Sequence, residues 1–323
     1  MFTYNTIRKG DAHDFFGKPC QDFVFTNSVN DVVCTALADG VSSCRCGGEI
    51  AEALTKTISH IFASNFSAYC KKSDEQLREE VVSCIRAEQR ELAEKYAKKG
   101  EAITIADMGC TLALVAYNKR TRQYIALNLG DGVILARRTG WENAEMLMQP
   151  VRVNMNGREL PVVTVYEGSM ISAYINIRRG AGYDAFMLSS DGLQDVFYGL
   201  DGAVSESVGA LMYHLVDDPH GVRSFLPAAL DKLSREDEVS LDDDISIGML
   251  VHCPPQPSTF IDRNKPSISG KFKRKAYQYS VYGEEIYSHR CKKLACKKAG
   301  ISMKDKHEWH NLQSHLRAVG YDE

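Results

Sequence analysis

The sequence predicts an α+β fold in which antiparallel sheets and helices are segregated along the chain. Apolar strand-like runs come first, then two long helical patterns, then a block of strand-like runs, two more helical patterns and a last strand. Parallel sheets require a regular alternation of strand and helix, which this order lacks. With 323 residues, 44% hydrophobic and 25% charged, the composition is typical of a soluble globular protein.

Two strands and two helices are predicted in the first hundred residues. The strands cover 22–26 and 31–38, where β-branched and other apolar residues are concentrated. A helix is predicted over 47–66, because its apolar residues recur every three or four positions. A second helix begins after Ser73, since Gln76 three residues later completes a capping box.

Strands dominate the next part of the chain. Five apolar runs are predicted to be strands: "CTLALVAYN", "QYIALNLG", "GVILARR", "LPVVTVY" and "AFMLSS". Helical spacing then predicts two helices, one over 208–215 and one over 225–233. The final strand over 245–251 alternates apolar residues with small or polar ones.

Composition divides the chain into a main domain at 1–253, a linker at 254–275 and a basic, mainly helical appendage at 276–323. The boundary falls in "HCPPQPSTFIDRNKPSISGKFKRK", which is rich in Pro, Ser and Lys. Residues 254–323 carry 14 Lys and Arg against 7 Asp and Glu, although the formal net charge of the whole chain is −3. The main domain is therefore acidic and the end of the chain is basic.

A small helical appendage that docks on the main domain or on a partner is the favoured interpretation of this basic segment. Nucleic-acid binding is not expected, because such charge runs are more often solvated faces. Zinc binding is the other alternative, with a Cys-x4-Cys spacing at the edge of the usual range. Its candidate ligands are Cys291, Cys296, His307 and His310.

No membrane association is predicted. No apolar run reaches the roughly 18 residues that span a bilayer, and the N-terminus lacks the apolar core of a secretory signal. We therefore expect a cytoplasmic protein whose ten cysteines act mainly as small buried hydrophobes. Cysteine catalysis by Cys20 is not expected, because no Cys-His-Asn arrangement accompanies it.

Three apolar strands end in Asp-Gly, and a fourth begins after three consecutive acids. The positions are Asp39-Gly40, Asp131-Gly132, Asp191-Gly192 and 242–244. A single Asp-Gly is usually a turn, because both residues tolerate positive φ. Strand ends of a sandwich share an edge, where clustered carboxylates need a balancing cation to stay ionised. Because Mg²⁺ and Mn²⁺ prefer oxygen ligands, the pattern predicts an acidic cluster that binds divalent metal.

These motifs resemble those of the metal-dependent protein phosphatase family (PPM, type 2C), and in particular its bacterial-type branch. The set, in order, is "PCQDFVF", "ALADGVSS", "GCTLALV", "LNLGDGV", "LSSDGLQDV" and "DDDISIGML". The resemblance covers about 8–252. It implies a four-layer α/β/β/α sandwich in which two antiparallel sheets are flanked by helix pairs.

The resemblance also implies two Mn²⁺ or Mg²⁺ ions and assigns their ligands. Asp39 matches the aspartate that bridges both ions, and Gly40 matches the residue that offers its backbone carbonyl to the second. Asp191 and Asp243 match the carboxylates on the first ion. Asp244 stands where the family usually has asparagine.

Two further aspartates have family counterparts around this centre. Asp22 matches the acidic residue that holds metal-bound water. Asp131 matches an aspartate that is linked, in bacterial members, to a weaker third ion. The segment 140–183 corresponds to a variable flap that helps to select substrates.

The sequence departs from the family pattern at three places. Gln21 stands where glutamate often precedes the first aspartate, and Val41 stands where eukaryotic members often have histidine as the proposed general acid. The phosphate-binding arginine has no match, and "GDAHDFFGKPCQD" offers His13 and Lys18 instead. We therefore expect His13 to contact the phosphate, with His13 or a water protonating the leaving group.

The resemblance implies hydrolysis of phosphoserine and phosphothreonine in phosphoproteins by a metal-activated water at a binuclear centre, reversing a cognate Ser/Thr kinase. The expected catalytic residues are Asp39, Asp191, Asp243 and His13. The alternative is a catalytically weak member of the family that binds a phosphoprotein or a small ligand without turnover, since the arginine is missing.

Overall fold

The structure, a computed structural model, describes most of the predicted main domain. The described residues are 1–138, 144–155, 157–193, 204–205, 208, 211–212, 221–224, 226–227, 230 and 242–252. The predicted linker at 254–275, the predicted appendage at 276–323 and the four candidate zinc ligands lie outside the described residues. Among the described residues, no helix has the length and apolar character needed to cross a membrane.

Two five-stranded antiparallel sheets form the centre of the molecule. The first sheet has the spatial order β1 (Phe2–Arg8), β12 (Ile245–Val251), β11 (Tyr183–Ser189), β6 (Val133–Arg138) and β7 (Ala144–Met148). The second has the order β10 (Asn176–Ala181), β5 (Gln123–Leu129), β4 (Leu112–Asn118), β3 (Val32–Asp39) and β2 (Asp22–Val29). A separate hairpin pairs β8 (Arg152–Met155) with β9 (Arg158–Pro161).

Two long helices cover the second sheet, and two short ones lie in its connections. The long helices are α2 (Gly47–Tyr69) and α3 (Asp74–Ala97), and the short ones are α1 (Asp11–Phe15) and α4 (Gly168–Tyr174). The predicted capping box is confirmed, because the Ser73 hydroxyl accepts from the Gln76 backbone N–H and the Gln76 side chain accepts from the Ser73 N–H.

Side-chain alternation along β3 builds two of the three cores. Even-numbered residues of β3, such as Cys34 and Ala36, pack with α2 and α3, whereas Val33 and Leu37 pack between the sheets. On the outer face of the first sheet, a third core joins β11 and β12 to five buried helical residues: Val208, Met212, Val222, Leu226 and Leu230. The predicted α+β fold of two antiparallel sheets between helical layers is thereby confirmed.

The run "LPVVTVY" was predicted to be a strand, and this prediction is wrong beyond Pro161. Val162 and Val163 are buried without belonging to a strand. Thr164 instead ties the segment to the loop before β4, since its hydroxyl donates to the Met108 carbonyl over 2.9 Å. The apolar pattern of this segment therefore reflects burial of its side chains and not pairing with a neighbouring strand.

The hydrophobic pattern did not predict β1, β7, β8 and β10. Three of them are outer strands of the sheets, and β8 belongs to the separate hairpin. Such strands bury only part of one face, so their sequences lack the apolar runs that indicate central strands.

Candidate functional site

Asp22 and Asp39 lie side by side at one edge of the second sheet. They are directly paired across β2 and β3, where opposite Cβ atoms are about 4.5–5.5 Å apart. Val24 and Leu37 on the same strand faces belong to the core between the sheets, so alternation directs both carboxylates towards the sandwich interior at its rim. Asp22 is only 1% exposed, whereas Asp39 is half-buried.

The first sheet brings three more aspartates to this rim. Ser189 near the end of β11 pairs with Val133 at the start of β6 and with Ile247 near the start of β12. Asp191 follows β11, Asp131 precedes β6 and Asp243 precedes β12, so all three lie at the same end of the sheet. Asp131 is buried, Asp191 is half-buried and Asp243 is exposed, and the cluster therefore runs from the interior to solvent.

The aspartates act on one another electrostatically. Burial, together with the charges of Asp22, Asp191 and Asp243, raises the pKa of the Asp39 carboxyl well above its usual range. Burial and the charges of Asp131 and Asp243 raise the pKa of Asp191 to about 7, and burial raises the pKa of Asp22 to about 6. Desolvated like charges held this close favour a bound cation or proton.

The donor set fits a divalent metal of the Mg²⁺ class. Both carboxylate oxygens of Asp22 and one of Asp191 are buried and accept no hydrogen bond from any described residue. Among the described residues, no group of three or more His, Cys, Asp or Glu side chains is arranged to hold one ion. An ion of this class usually keeps several waters, so it would contact some of these aspartates through water.

Three glycines bring backbone segments of this rim into close contact. A Cβ on Gly40 would lie 2.5 Å from the Gly47 carbonyl carbon at the start of α2. A Cβ on Gly192 would lie 2.3 Å from the Asp244 carbonyl oxygen, and one on Gly10 would lie 2.3 Å from that of Asp242. None of the three has positive φ. Turn chemistry therefore does not explain the Asp-Gly pairs at 39–40 and 191–192, whereas backbone packing does.

His13 lies against the loop that carries Asp243. Its Nδ1 is 2.9 Å from Oδ2 of Asp244, and its Nε2 is 3.5 Å from the Ser42 hydroxyl. Burial by itself would raise the pKa of Asp244, but backbone hydrogen bonds from Gln21 and Gly10 and the contact with His13 hold it below its usual range. Lys18, the other expected substitute for the arginine, is exposed.

Arg152 and Thr111 at this rim were not singled out from the sequence. Arg152 on β8 approaches Asp131, with 3.2 Å between Nη2 and Oδ2, and its charge lowers the pKa of Asp131 and of Asp191 against the effect of burial. Thr111 accepts the Asp39 N–H at its hydroxyl and donates its own N–H to the Asp39 carbonyl. The sequence signal was weak, because each is a single polar residue beside an apolar run.

The surroundings of Cys20 disfavour the thiolate form of its side chain. Burial raises the pKa of its thiol to about 12. The thiolate, which is the reactive form, is therefore scarce at neutral pH.

Comparisons with known proteins agree with this architecture. The profile of a family described as protein phosphatase 2C matches residues 9–232. A bacterial serine phosphatase is similar over 80% of this chain and 100% of its own, with a TM-score of 0.52 and 12% identity. A variant of a bacterial serine phosphatase with an arginine-to-lysine substitution gives 0.53 and 13% over the same shares.

A C. elegans sex determining protein is similar over 79% of this chain and 65% of its own, with a TM-score of 0.50 and 12% identity. At these identities the likeness concerns the fold. No curated protein matches the sequence significantly.

Proposed function

Because this chain belongs to the protein phosphatase 2C family, we propose that it hydrolyses phosphoserine and phosphothreonine monoesters of phosphoproteins at the rim of the sandwich. This rim carries Asp22, Asp39, Asp131, Asp191 and Asp243. The observation that carries this proposal is the convergence of five aspartates from both sheets at one solvent-facing edge. A structural turn at each position would not need all of them at the same end of the sandwich.

We assign Mn²⁺ or Mg²⁺ to this rim as the cofactor, with two ions and a weaker third. Asp39 would hold both principal ions, Asp191 and Asp243 the first, and the Gly40 carbonyl the second, directly or through water on the ions. Two more aspartates complete the assignment: Asp22, through water, and Asp131, at the third ion. When bound, such ions acidify a water for in-line attack on phosphorus and neutralise charge on the phosphoryl oxygens.

The protein itself positions the aspartates and supplies a proton donor for the departing group. The half-buried positions of Asp39 and Asp191 leave the rim open to a phosphorylated side chain. His13 presents Nε2 towards the loop after Asp39, through Ser42. We assign to the protonated His13 ring contact with the phosphoryl group and transfer of its Nε2 proton to the departing serine or threonine oxygen, which leaves a neutral ring with its proton on Nδ1; water is the alternative donor.

The proposed partners are a phosphorylated protein substrate and the Ser/Thr kinase whose action is reversed, and the proposed location is the cytoplasm. The segment 140–183 would help to select the substrate, since it includes the β8–β9 hairpin beside Asp131. The proposed catalytic domain is 1–253.

The proposal is tested by hydrolysis of p-nitrophenyl phosphate and of phosphoserine, phosphothreonine and phosphotyrosine peptides with Mn²⁺. We expect hydrolysis that a chelator abolishes, a preference for phosphoserine and phosphothreonine, and loss of at least about a hundredfold in kcat for Asp191→Asn. Asp31→Asn is the matched control, because Asp31 is an exposed acid in the turn between β2 and β3, at the opposite end of those strands from Asp22 and Asp39.

The alternative function makes a different prediction in the same experiment. If titration calorimetry shows Mn²⁺ binding but no peptide is hydrolysed above background, the chain is a binding module and not a phosphatase. Equal activity of the Asp191→Asn and wild-type proteins would also contradict the proposed site.

A further inference from the structure

The Asp244 carboxylate connects three parts of the chain. Its Oδ1 accepts the Gly10 backbone N–H over 2.8 Å, and its Oδ2 accepts the Gln21 N–H over 2.6 Å. The same Oδ2 lies 2.9 Å from Nδ1 of His13. With 1% of its surface exposed, Asp244 has no competing contact with bulk water.

These contacts require a carboxylate rather than an amide. Two backbone N–H donors bind the Asp244 side chain, one on each oxygen, and His13 lies at ion-pair distance from Oδ2. An asparagine has one oxygen and one NH₂ group, so it would direct N–H bonds against at least one of these donors. A buried donor left without its acceptor costs about 1–3 kcal/mol.

The segment that carries His13 is seated on the loop that carries Asp243. The Ala12 N–H donates to the Asp242 carbonyl over 3.2 Å, and Gly10 packs so closely on the Asp242 and Asp243 backbone that a Cβ would overlap it. The segment that carries His13 is therefore in direct backbone contact with the loop that carries Asp243.

The imidazole of His13 has its two nitrogens in different surroundings. Nδ1 faces Asp244, and Nε2 faces Ser42, three residues after Asp39. The Nδ1 approach has the distance of an ion pair, while the ring is turned away from a linear hydrogen bond. A carboxylate partner at one nitrogen fixes which nitrogen is left for chemistry.

We propose that Asp244 is a positioning residue: it holds Nδ1 of His13 so that Nε2 faces the loop after Asp39, where the phosphoryl group would bind. This role rests on the proposed function. Asp244 acts through His13 and touches no substrate.

A double-mutant cycle tests whether Asp244 acts through His13. The variants His13→Gln and Asp244→Asn and the double variant are assayed for phosphatase activity with Mn²⁺. We expect Asp244→Asn to lower kcat about ten- to hundredfold, and the double variant to lose no more than about twofold beyond His13→Gln. Asp31→Asn controls for loss of a carboxylate elsewhere. Losses that multiply in the double variant would overturn the proposal, because Asp244 would then act independently of His13.

Nitrogen-15 NMR of the histidine rings, without metal, gives a readout that does not depend on activity. The His13 signals are assigned by their loss in His13→Gln. At a pH where the ring is neutral, we expect the proton on Nδ1 in the wild-type protein and a mixture of tautomers in Asp244→Asn. A neutral wild-type ring protonated only at Nε2 would overturn the proposal, even if Asp244→Asn failed to fold.

The two arms separate failure of this proposal from failure of the proposed function. A wild-type protein without phosphatase activity would contradict the function, while the NMR arm would still decide whether Asp244 fixes the His13 ring.

Discussion

Single glycines at the rim decide how closely the chain segments that carry the aspartates can approach. Gly192 follows Asp191 and packs on the Asp244 carbonyl, so the ends of β11 and β12 meet without a side chain between them. The absence of positive φ at Gly192 means that its role is space rather than backbone conformation. Any side chain at this position must displace the loop that carries Asp243.

Gly192→Ala should therefore weaken metal binding and lower the free energy of unfolding by about 1–3 kcal/mol, as overpacking does. Gly168→Ala is the matched control, since its Cβ would meet only a Val82 methyl at 3.2 Å and its φ is not positive; we expect a change within about 0.5 kcal/mol. Urea unfolding and calorimetry with Mn²⁺ measure both effects. Equal effects of the two substitutions would contradict the packing role of Gly192.

At the level of elements, the β8–β9 hairpin brings a positive charge to an acidic rim. Arg152 at the start of β8 pairs with Asp131, and its guanidinium also acts on Asp191. The hairpin lies in the segment expected to form a flap, and it pairs with neither five-stranded sheet. The charge at the rim therefore depends on the position of the hairpin.

Arg152→Gln should tighten Mn²⁺ binding by about three- to tenfold, because a positive charge no longer repels the ion. The same substitution should raise the pKa of Asp131 and Asp191. Arg158→Gln, at an exposed position on the partner strand, should leave the Mn²⁺ dissociation constant unchanged. Weaker Mn²⁺ binding by Arg152→Gln would contradict the electrostatic role of Arg152 and would indicate that Arg152 organises the site in another way.

For the whole molecule, closing the sandwich brings carboxylates from two sheets into one partly desolvated rim. Asp22 and Asp39 come from the second sheet, and the other three aspartates come from the first. The packing of the central core therefore holds like charges together at neutral pH. Repulsion between these carboxylates raises the free energy of the folded state, and bound protons or divalent cations reduce this repulsion.

This repulsion predicts how stability depends on pH. The pKa values of about 6 for Asp22 and about 7 for Asp191 exceed the unfolded value of about 3.9 for aspartate. The folded state therefore binds more protons than the unfolded state between these values, and the cluster's contribution to the unfolding free energy falls as pH rises from about 4 to about 7. In chelator, Asp191→Asn should lose less stability over this range than the wild-type protein, as followed by thermal unfolding.

Divalent cations should reverse that loss. At a Mn²⁺ concentration about a hundredfold above its dissociation constant, we expect Tm to rise by about 5–10 °C at pH 8. A much smaller rise is expected at pH 5, where protons already occupy the cluster. An equal or larger rise at pH 5 would contradict the proposed link between the aspartates and the metal.

Much of the fold follows from the sequence because central strands and amphipathic helices bury whole faces. The runs that became β3, β4, β5, β11 and β12 were predicted from apolar pattern, and α3 from its capping box. The edge strands β1 and β10 were missed because partial burial leaves a mixed pattern. The 160–166 run was overpredicted because burial without a neighbouring strand gives the same pattern as a strand.

The sequence by itself determined the kinds of group at the site: the aspartates at strand ends, the glycines after three of them, and the family to which the chain belongs. Only the tertiary structure decided that Arg152 faces Asp131, that Asp244 gathers Gly10, His13 and Gln21, and that the glycines serve packing. Strand ends can be recognised locally, since periodicity is a property of neighbouring residues. Contacts across more than two hundred residues, such as that of Asp244 with Gly10, depend on how the two sheets stack, which no local pattern specifies.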